Sequence, residues 1–454
     1  MRKSLTVVLF SALSLTFGCG GNSGGSAPPP PPAASGCTSG TNNTMTTSLT
    51  PISGQNVASV VIDGGLPNIP YVNGIFTTVT VCQPGSTTSC QTIDHVLVDT
   101  GSFGLRLLAA GTSGGKLSLA LPAETDGPGS PVAECAQFSD GITWGAVRLA
   151  DVRIGGSTAN NMSGELAANI PVQVIGDTTV PTVPAGCTQF GTPEDDVNKL
   201  LTNGILGVGE FPQDCGPGCT TSTTPGLYYH CPGGTCTQAL MPLQLQVLNP
   251  VAAFSPETNG VADNNGVALQ LPQIAPTGAM TVNGFLIFGI GTQSNNGLGS
   301  AHVFAADPNN GNFSTVFAGQ TLSNSFLDSG SNGFFFNDSS ISKCTTGSVD
   351  FFCTGGSNLT CTATNQSAPN TPATSGNVTF GVNDANALIS TNNNAFNNLA
   401  GPNPPPPNPG GGTPPPSGFD WGLPFFFGKT VFTGMENLNI TPPPNVPQGP
   451  FFAY

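Results

Sequence analysis

The chain has 454 residues and a formal net charge of −15, with 9 Lys and Arg against 24 Asp and Glu. That balance excludes nucleic acid as a partner, because phosphate recognition needs basic patches. Charged residues make up only 7% of the chain, which also holds 61 Gly, 43 Pro and 13 Cys; with apolar runs short and bounded by turn residues, this predicts an all-β protein with long polar loops.

Residues 1–18 read as an export signal. Arg2 and Lys3 supply the positive start, and the apolar stretch from Leu5 to Phe17 is too short to span a membrane. Leu15-Thr16-Phe17-Gly18-Cys19 is similar to a bacterial lipoprotein cleavage site. The similarity implies that Cys19 becomes an acylated N-terminus tethered to a membrane of the cell envelope. The following segment contains five consecutive prolines, Pro28 to Pro32, and cannot bury a core. Residues 19–56 are therefore expected to form a tether and linker, which could in part fill a cleft.

Setting Cys19 aside leaves twelve cysteines (13 − 1), and export makes disulfides their expected fate. Cys82 and Cys90 flank a short polar turn, and Cys231 and Cys236 flank Pro-Gly-Gly-Thr; each pair is expected to staple its own loop. Cys344, Cys353 and Cys361 fall in one loop, while the partners of Cys37, Cys135 and Cys187 stay open. Cys215, Cys219, His230, Cys231 and Cys236 also admit a zinc reading. They lack two clean Cys-x-x-Cys pairs and sit in an oxidising compartment, so structural disulfides are expected and no metal or cofactor. The only histidines are His95, His230 and His302, and there is no Gly-x-Ser-x-Gly elbow, which leaves no basis for a serine triad. His95, close before Asp99, reads as an ordinary strand or loop residue.

The densest chemistry lies in a repeated motif. Val96-Leu97-Val98-Asp99-Thr100-Gly101-Ser102 returns 229 positions later (328 − 99) as Ser325-Phe326-Leu327-Asp328-Ser329-Gly330-Ser331. In both copies an apolar strand runs into Asp, a small hydroxyl residue, Gly and Ser. Two carboxyls held together share one proton and titrate at split pKa values, in the acid range. One can then take a proton from water while the other donates to a carbonyl oxygen. Gly101 and Gly330 would bring backbone N–H groups close to the carboxylates. Thr100 and Ser329 could bond across the two halves, and Ser102 and Ser331 could donate to the outer carboxylate oxygens.

With these motifs the chain resembles the pepsin-like, two-lobed aspartic proteases. Further segments follow in the family's order: Tyr71-Val72-Asn73-Gly74-Ile75-Phe76 before the first Asp, Phe138 to Gly145 as a flap hairpin, and Val152 to Gly156 as its return strand. Asn203-Gly204-Ile205-Leu206-Gly207-Val208-Gly209 then closes the first lobe. Phe285 to Gly289 opens the second, and Trp421 to Phe427 followed by Thr430-Val431-Phe432 closes it. The resemblance spans most of residues 57–454. It implies a first lobe over 57–245, a second over 246–454 with a Pro- and Gly-rich insertion at 401–417, and a cleft between them. Two positions depart from the pattern. Phe138 stands where the family carries a flap Tyr, and Gly422-Leu423-Pro424 stands where two aliphatics and Gly are usual.

The function this implies is endopeptidase hydrolysis, with Asp99 and Asp328 activating a water on an extended peptide or protein substrate that pairs with the flap. Phe138 and Trp144 are the expected substrate-binding residues. Phe103, Leu105 and the run Phe334-Phe335-Phe336 are further pocket candidates, although the run reads better as core. The alternative is a lipid-anchored peptide- or glycan-binding protein that keeps the fold without turnover. A third reading is an interaction protein whose loops do the work. Oligomeric state is left open.

Overall fold

The computed structural model describes residues 36–40, 45–127, 129–256, 260–403, 418–436 and 443–454. The export signal, Cys19, the proline run and positions 404–417 of the expected insertion lie outside the described residues. Among those residues the protein is mainly β, and none of its α-helices exceeds five residues. Frequent Gly and Pro cut every apolar run before it can present a helical face.

One sheet of 15 strands dominates. Within it, Ile142–Ile154, Glu165–Ile175, Phe103–Leu108, Gly204–Val208, Cys90–Asp99 and Phe76–Cys82 pair in that order. A further pairing of Phe76–Cys82 with Ile142–Ile154 closes these six strands into a barrel. The sheet then continues through Val57–Ile62, which pairs antiparallel with Val282–Phe288 and so joins the two halves of the chain. A second sheet of eight strands carries the later Asp motif and forms a half-barrel.

The strands alternate as a two-residue period requires. Val96 and Val98 face the main core, while Leu97 faces a separate cluster with Tyr71, Phe76 and Phe138. In the second half the core is aromatic: Trp421 stacks on Phe419 at 4.0 Å, and Phe419 on Phe336 at 4.8 Å. Phe334, Phe335 and Phe336 are all buried here, so the run is core.

The two motifs occupy equivalent surroundings. Cys90–Asp99 runs parallel to Gly204–Val208, which pairs antiparallel with Phe103–Leu108. Gln320–Leu327 runs parallel to Asp420–Trp421, which pairs antiparallel with Phe334–Phe335. Each Asp therefore ends a strand gripped by the same three-strand arrangement, 229 residues apart.

Six disulfides join Cys37–Cys361, Cys82–Cys90, Cys135–Cys187, Cys215–Cys219, Cys231–Cys236 and Cys344–Cys353. Both expected loop staples are present. The thiols considered for zinc are consumed as the neighbouring pairs Cys215–Cys219 and Cys231–Cys236. Such a set of bonds places the protein in an exported, oxidising compartment. Among the described residues no helix is long and apolar enough to cross a membrane.

The expected tether ends earlier than residue 56. Cys37–Ser39 is an edge strand paired with Leu359–Gln366 and covalently fixed by Cys37–Cys361, so this part of the linker belongs to the folded body. The segment beyond the expected junction near 245 still packs on the first half. Leu248 N–H donates to Pro171 O at 3.1 Å and Ser255 N–H to Leu166 O at 3.1 Å.

Candidate active site

The two Asp loops meet at the interface of the halves and are fastened by a reciprocal set of bonds. Thr100 Oγ1 donates to Leu327 O at 3.0 Å and accepts from Ser329 N–H at 2.9 Å. Ser329 Oγ donates to Val98 O at 2.7 Å and accepts from Thr100 N–H at 3.2 Å. Each hydroxyl thus reaches the carbonyl just before the other loop's Asp. The cross-link fixes both loops to about the precision of a hydrogen bond.

Within each loop the carboxylate is held by its own turn. Asp99 accepts from Gly101 N–H at 2.8 Å and from Ser102 Oγ at 2.5 Å. Asp328 accepts from Gly330 N–H at 2.8 Å, Ser331 N–H at 3.2 Å and Ser331 Oγ at 2.8 Å. The two carboxyls approach each other closely enough to titrate together. Gly330 has no room for a side chain, because a Cβ there would stand 2.7 Å from Asp99 Oδ1 and 3.1 Å from Asp328 Oδ1.

Asp99, Asp328, Ser329 and Ser331 are fully buried. Burial pushes Asp99 well above the usual carboxylate range; the charge of Asp328 adds to this, and the Ser102 and Gly101 hydrogen bonds oppose it. Asp328 is pushed up to about 6 by burial, against hydrogen bonds from Asp99, Ser331 and the Gly330 N–H. The two carboxyls therefore titrate as a coupled pair, with burial raising both.

Two further carboxyls belong to the site and escaped the sequence reading. Asp420 Oδ2 lies 2.7 Å from Ser331 Oγ, the same hydroxyl that donates to Asp328. Ser331 Oγ is thus within hydrogen-bond reach of both carboxyls and has one proton to give. Burial, then the charge of Asp328, holds Asp420 well above its ordinary range, against the Ser331 hydrogen bond. The signal in the sequence is an acid inside an apolar run, Phe419-Asp420-Trp421. Glu210 directly follows the Gly207-Val208-Gly209 segment; burial pushes it up to about 8, and the charge of Asp328 contributes.

The expected substrate-binding pair fares differently. The Val132–Gln137 and Ile142–Ile154 strands form a hairpin with Phe138 in its turn, and Val152–Ile154, expected as a return strand, is instead the far end of the second of these strands. Phe138 is buried and, with Ser102, Phe103, Arg106 and Asp214, lines a cavity of about 20 Å³ beside the first Asp loop, room for about one water. Trp144 is not a pocket residue. It is buried, donates its indole N–H to Val180 O at 2.8 Å and meets Tyr229 edge-on at 5.1 Å, within the cluster that contains Cys135 and Cys187. Leu105 is core, and Phe103 packs edge-on against Phe211. His95 bonds Asp63 at 3.3 Å and Asp94 at 3.2 Å, at the surface end of its strand.

Behind the first loop, Arg106 is buried between Glu134 at 2.5 Å and Asp214 at 3.2 Å and donates to Phe103 O at 2.8 Å. This closed ion triad braces the strand that leaves the motif. The hairpin turn is pinned over the first half by backbone bonds: Ile142 N–H to Thr192 O at 3.0 Å and Glu194 N–H to Ile142 O at 2.8 Å.

What the fold and site define is a mainly β, disulfide-bonded exported protein with two aspartates at a symmetric junction. The chain belongs to the family described as Protein of unknown function (DUF3443), whose model matches residues 52–454. No curated protein matches the chain.

Proposed function

We propose that the protein is a pepsin-like, two-lobed aspartic endopeptidase, anchored to a membrane of the bacterial envelope through a lipid on Cys19. The observation that carries this reading is the reciprocal lock of Thr100 and Ser329, which holds the two aspartate loops against each other. That arrangement suits general acid–base hydrolysis. Asp328 takes a proton from a bound water as the water attacks the peptide carbonyl, and Asp99 gives its proton to the carbonyl oxygen. No cofactor is needed for this chemistry. The substrate is an extended peptide or protein segment lying under the 138–141 turn.

A second reading rests on the burial of both carboxyls: a protein that keeps this fold would bind peptide or glycan in its cleft without cutting it.

Peptide-library cleavage by the full chain in detergent, scanned from about pH 3 to 9, separates the two. Cleavage is expected to rise as pH passes up through about 6, where Asp328 ionises, and to fall when Asp99 loses its proton. Asp99→Asn and Asp328→Asn should each abolish it with the fold intact. A statine-type inhibitor should also block it. Turnover retained in either variant refutes the shared-proton mechanism, and binding without cleavage at any pH selects the second reading.

A further inference from the structure

Tyr71 is buried, and its hydroxyl has no hydrogen-bond partner. A buried orphan hydroxyl costs about 1–3 kcal/mol, and phenylalanine would fill the same space without that cost. The surroundings of the hydroxyl therefore matter.

The segment from Tyr71 to Ile75 threads between the two Asp loops. Asn73 Nδ2 donates to Asn332 O at 2.8 Å, one residue past Ser331, and to Phe396 O at 2.9 Å. Asn73 Oδ1 accepts from Phe396 N–H at 2.7 Å. At the other end, Val98 N–H donates to Ile75 O at 2.9 Å, one residue before Asp99. The Tyr71 ring meets Phe76 edge-on at 5.6 Å and packs in one cluster with Leu97 and Phe138. Its main chain is tied by Tyr71 N–H to Gly64 O at 2.8 Å. The ring is thus fixed between the dyad and the hairpin turn.

The charges that act most strongly on the hydroxyl are carboxyls. Burial raises Tyr71 well above the ordinary tyrosine value, and the charges of Asp140 in the turn, Asp99, Asp328, and Glu194 in the pinning segment raise it further. The phenol stays protonated, so it is a donor surrounded by acceptors.

We propose that Tyr71 donates its hydroxyl proton in a hydrogen bond to the oxygen held between Asp99 and Asp328. In the free protein that oxygen is a water. On the hydrolase reading, on which the catalytic part of this proposal rests, it becomes an oxygen of the tetrahedral intermediate. No covalent step involves Tyr71. The hydroxyl supplies a donor at this site although the hairpin turn carries Phe138.

The test is Tyr71→Phe in the full chain, followed by carbon-13 NMR of labelled aspartate carboxyls across pH. Loss of a donor aimed at the dyad should raise its apparent titration by about half a unit or more. On peptide substrate, kcat should fall about tenfold or more with KM little changed. An unshifted dyad titration overturns the proposal, even if kcat falls, because that would mark general damage. If the wild-type protein cleaves nothing, the hydrolase reading fails, and the titration still decides whether the hydroxyl serves the dyad.

Discussion

At the scale of residues, one hydroxyl proton orders the site. Ser331 sits between two carboxyls and can donate to only one, so the protonation of Asp420 decides how Asp328 is held. An asparagine at 420 would mimic the protonated acid, since its amide donates permanently to Ser331. Asp420→Asn should therefore keep activity at mildly acid pH and extend it to higher pH, where the native Asp420 would ionise. It should also raise Tm at alkaline pH, because a buried group that resists charging has been removed. A pH profile of kcat/KM and a melting curve at pH 9 check both; a lower Tm there would show that Asp420 is ionised in the native protein. Both positions are hard to read locally. Asp420 is one acid among aromatics, and its partner lies 89 residues away.

At the scale of elements, the two loops hold each other. Four hydrogen bonds cross the junction through Thr100 and Ser329, all buried. Thr100→Val keeps the shape and removes the hydroxyl, which leaves the Ser329 N–H and Leu327 O unpaired. The cost should be about 2–4 kcal/mol, as two buried polar groups lose partners. Denaturant unfolding measures it; a change under about 0.5 kcal/mol would mean that water replaces the lock. The hydroxyl residues after each Asp were legible because the motif repeats. The hairpin was legible only at its turn, since Val152–Ile154 continues the strand from Ile142 instead of returning against it. The inward face of Trp144 was not, because a strand position alone does not say which of two clusters its face meets.

At the scale of the whole molecule, acids are buried without enough cations to pair them. Arg106 serves Glu134 and Asp214. Near the dyad, burial first and then Asp140 push Glu194 up to about 9, and Glu210 is pushed up to about 8. Below about pH 4 these acids hold protons in the folded and unfolded chains alike. As pH rises, the unfolded acids ionise first while the folded ones keep their protons. The folded state then binds more protons, and stability falls from about pH 4 up to the folded values. Tm should be higher at pH 5 than at pH 8.5, measured by calorimetry with disulfides intact. The opposite order would show that the buried acids are ionised in the native fold. The Cys37–Cys361 bond acts at the same scale, tying the start of the folded body to a strand 324 residues on. Removing it should cost about 2–5 kcal/mol.

By itself the sequence determined what depends on near neighbours: a β-rich exported chain, loop staples between cysteines five and eight positions apart, and two Asp turns whose Gly and Ser residues serve their own carboxylate. These follow from short-range sterics and hydrogen bonding, which a motif of seven residues contains. Only the tertiary structure decided what depends on distant partners. It placed Asp420 on the hydroxyl that also serves Asp328, buried the hydroxyl of Tyr71, and turned Trp144 inward. It also buried the dyad, and that burial is what raises its titration.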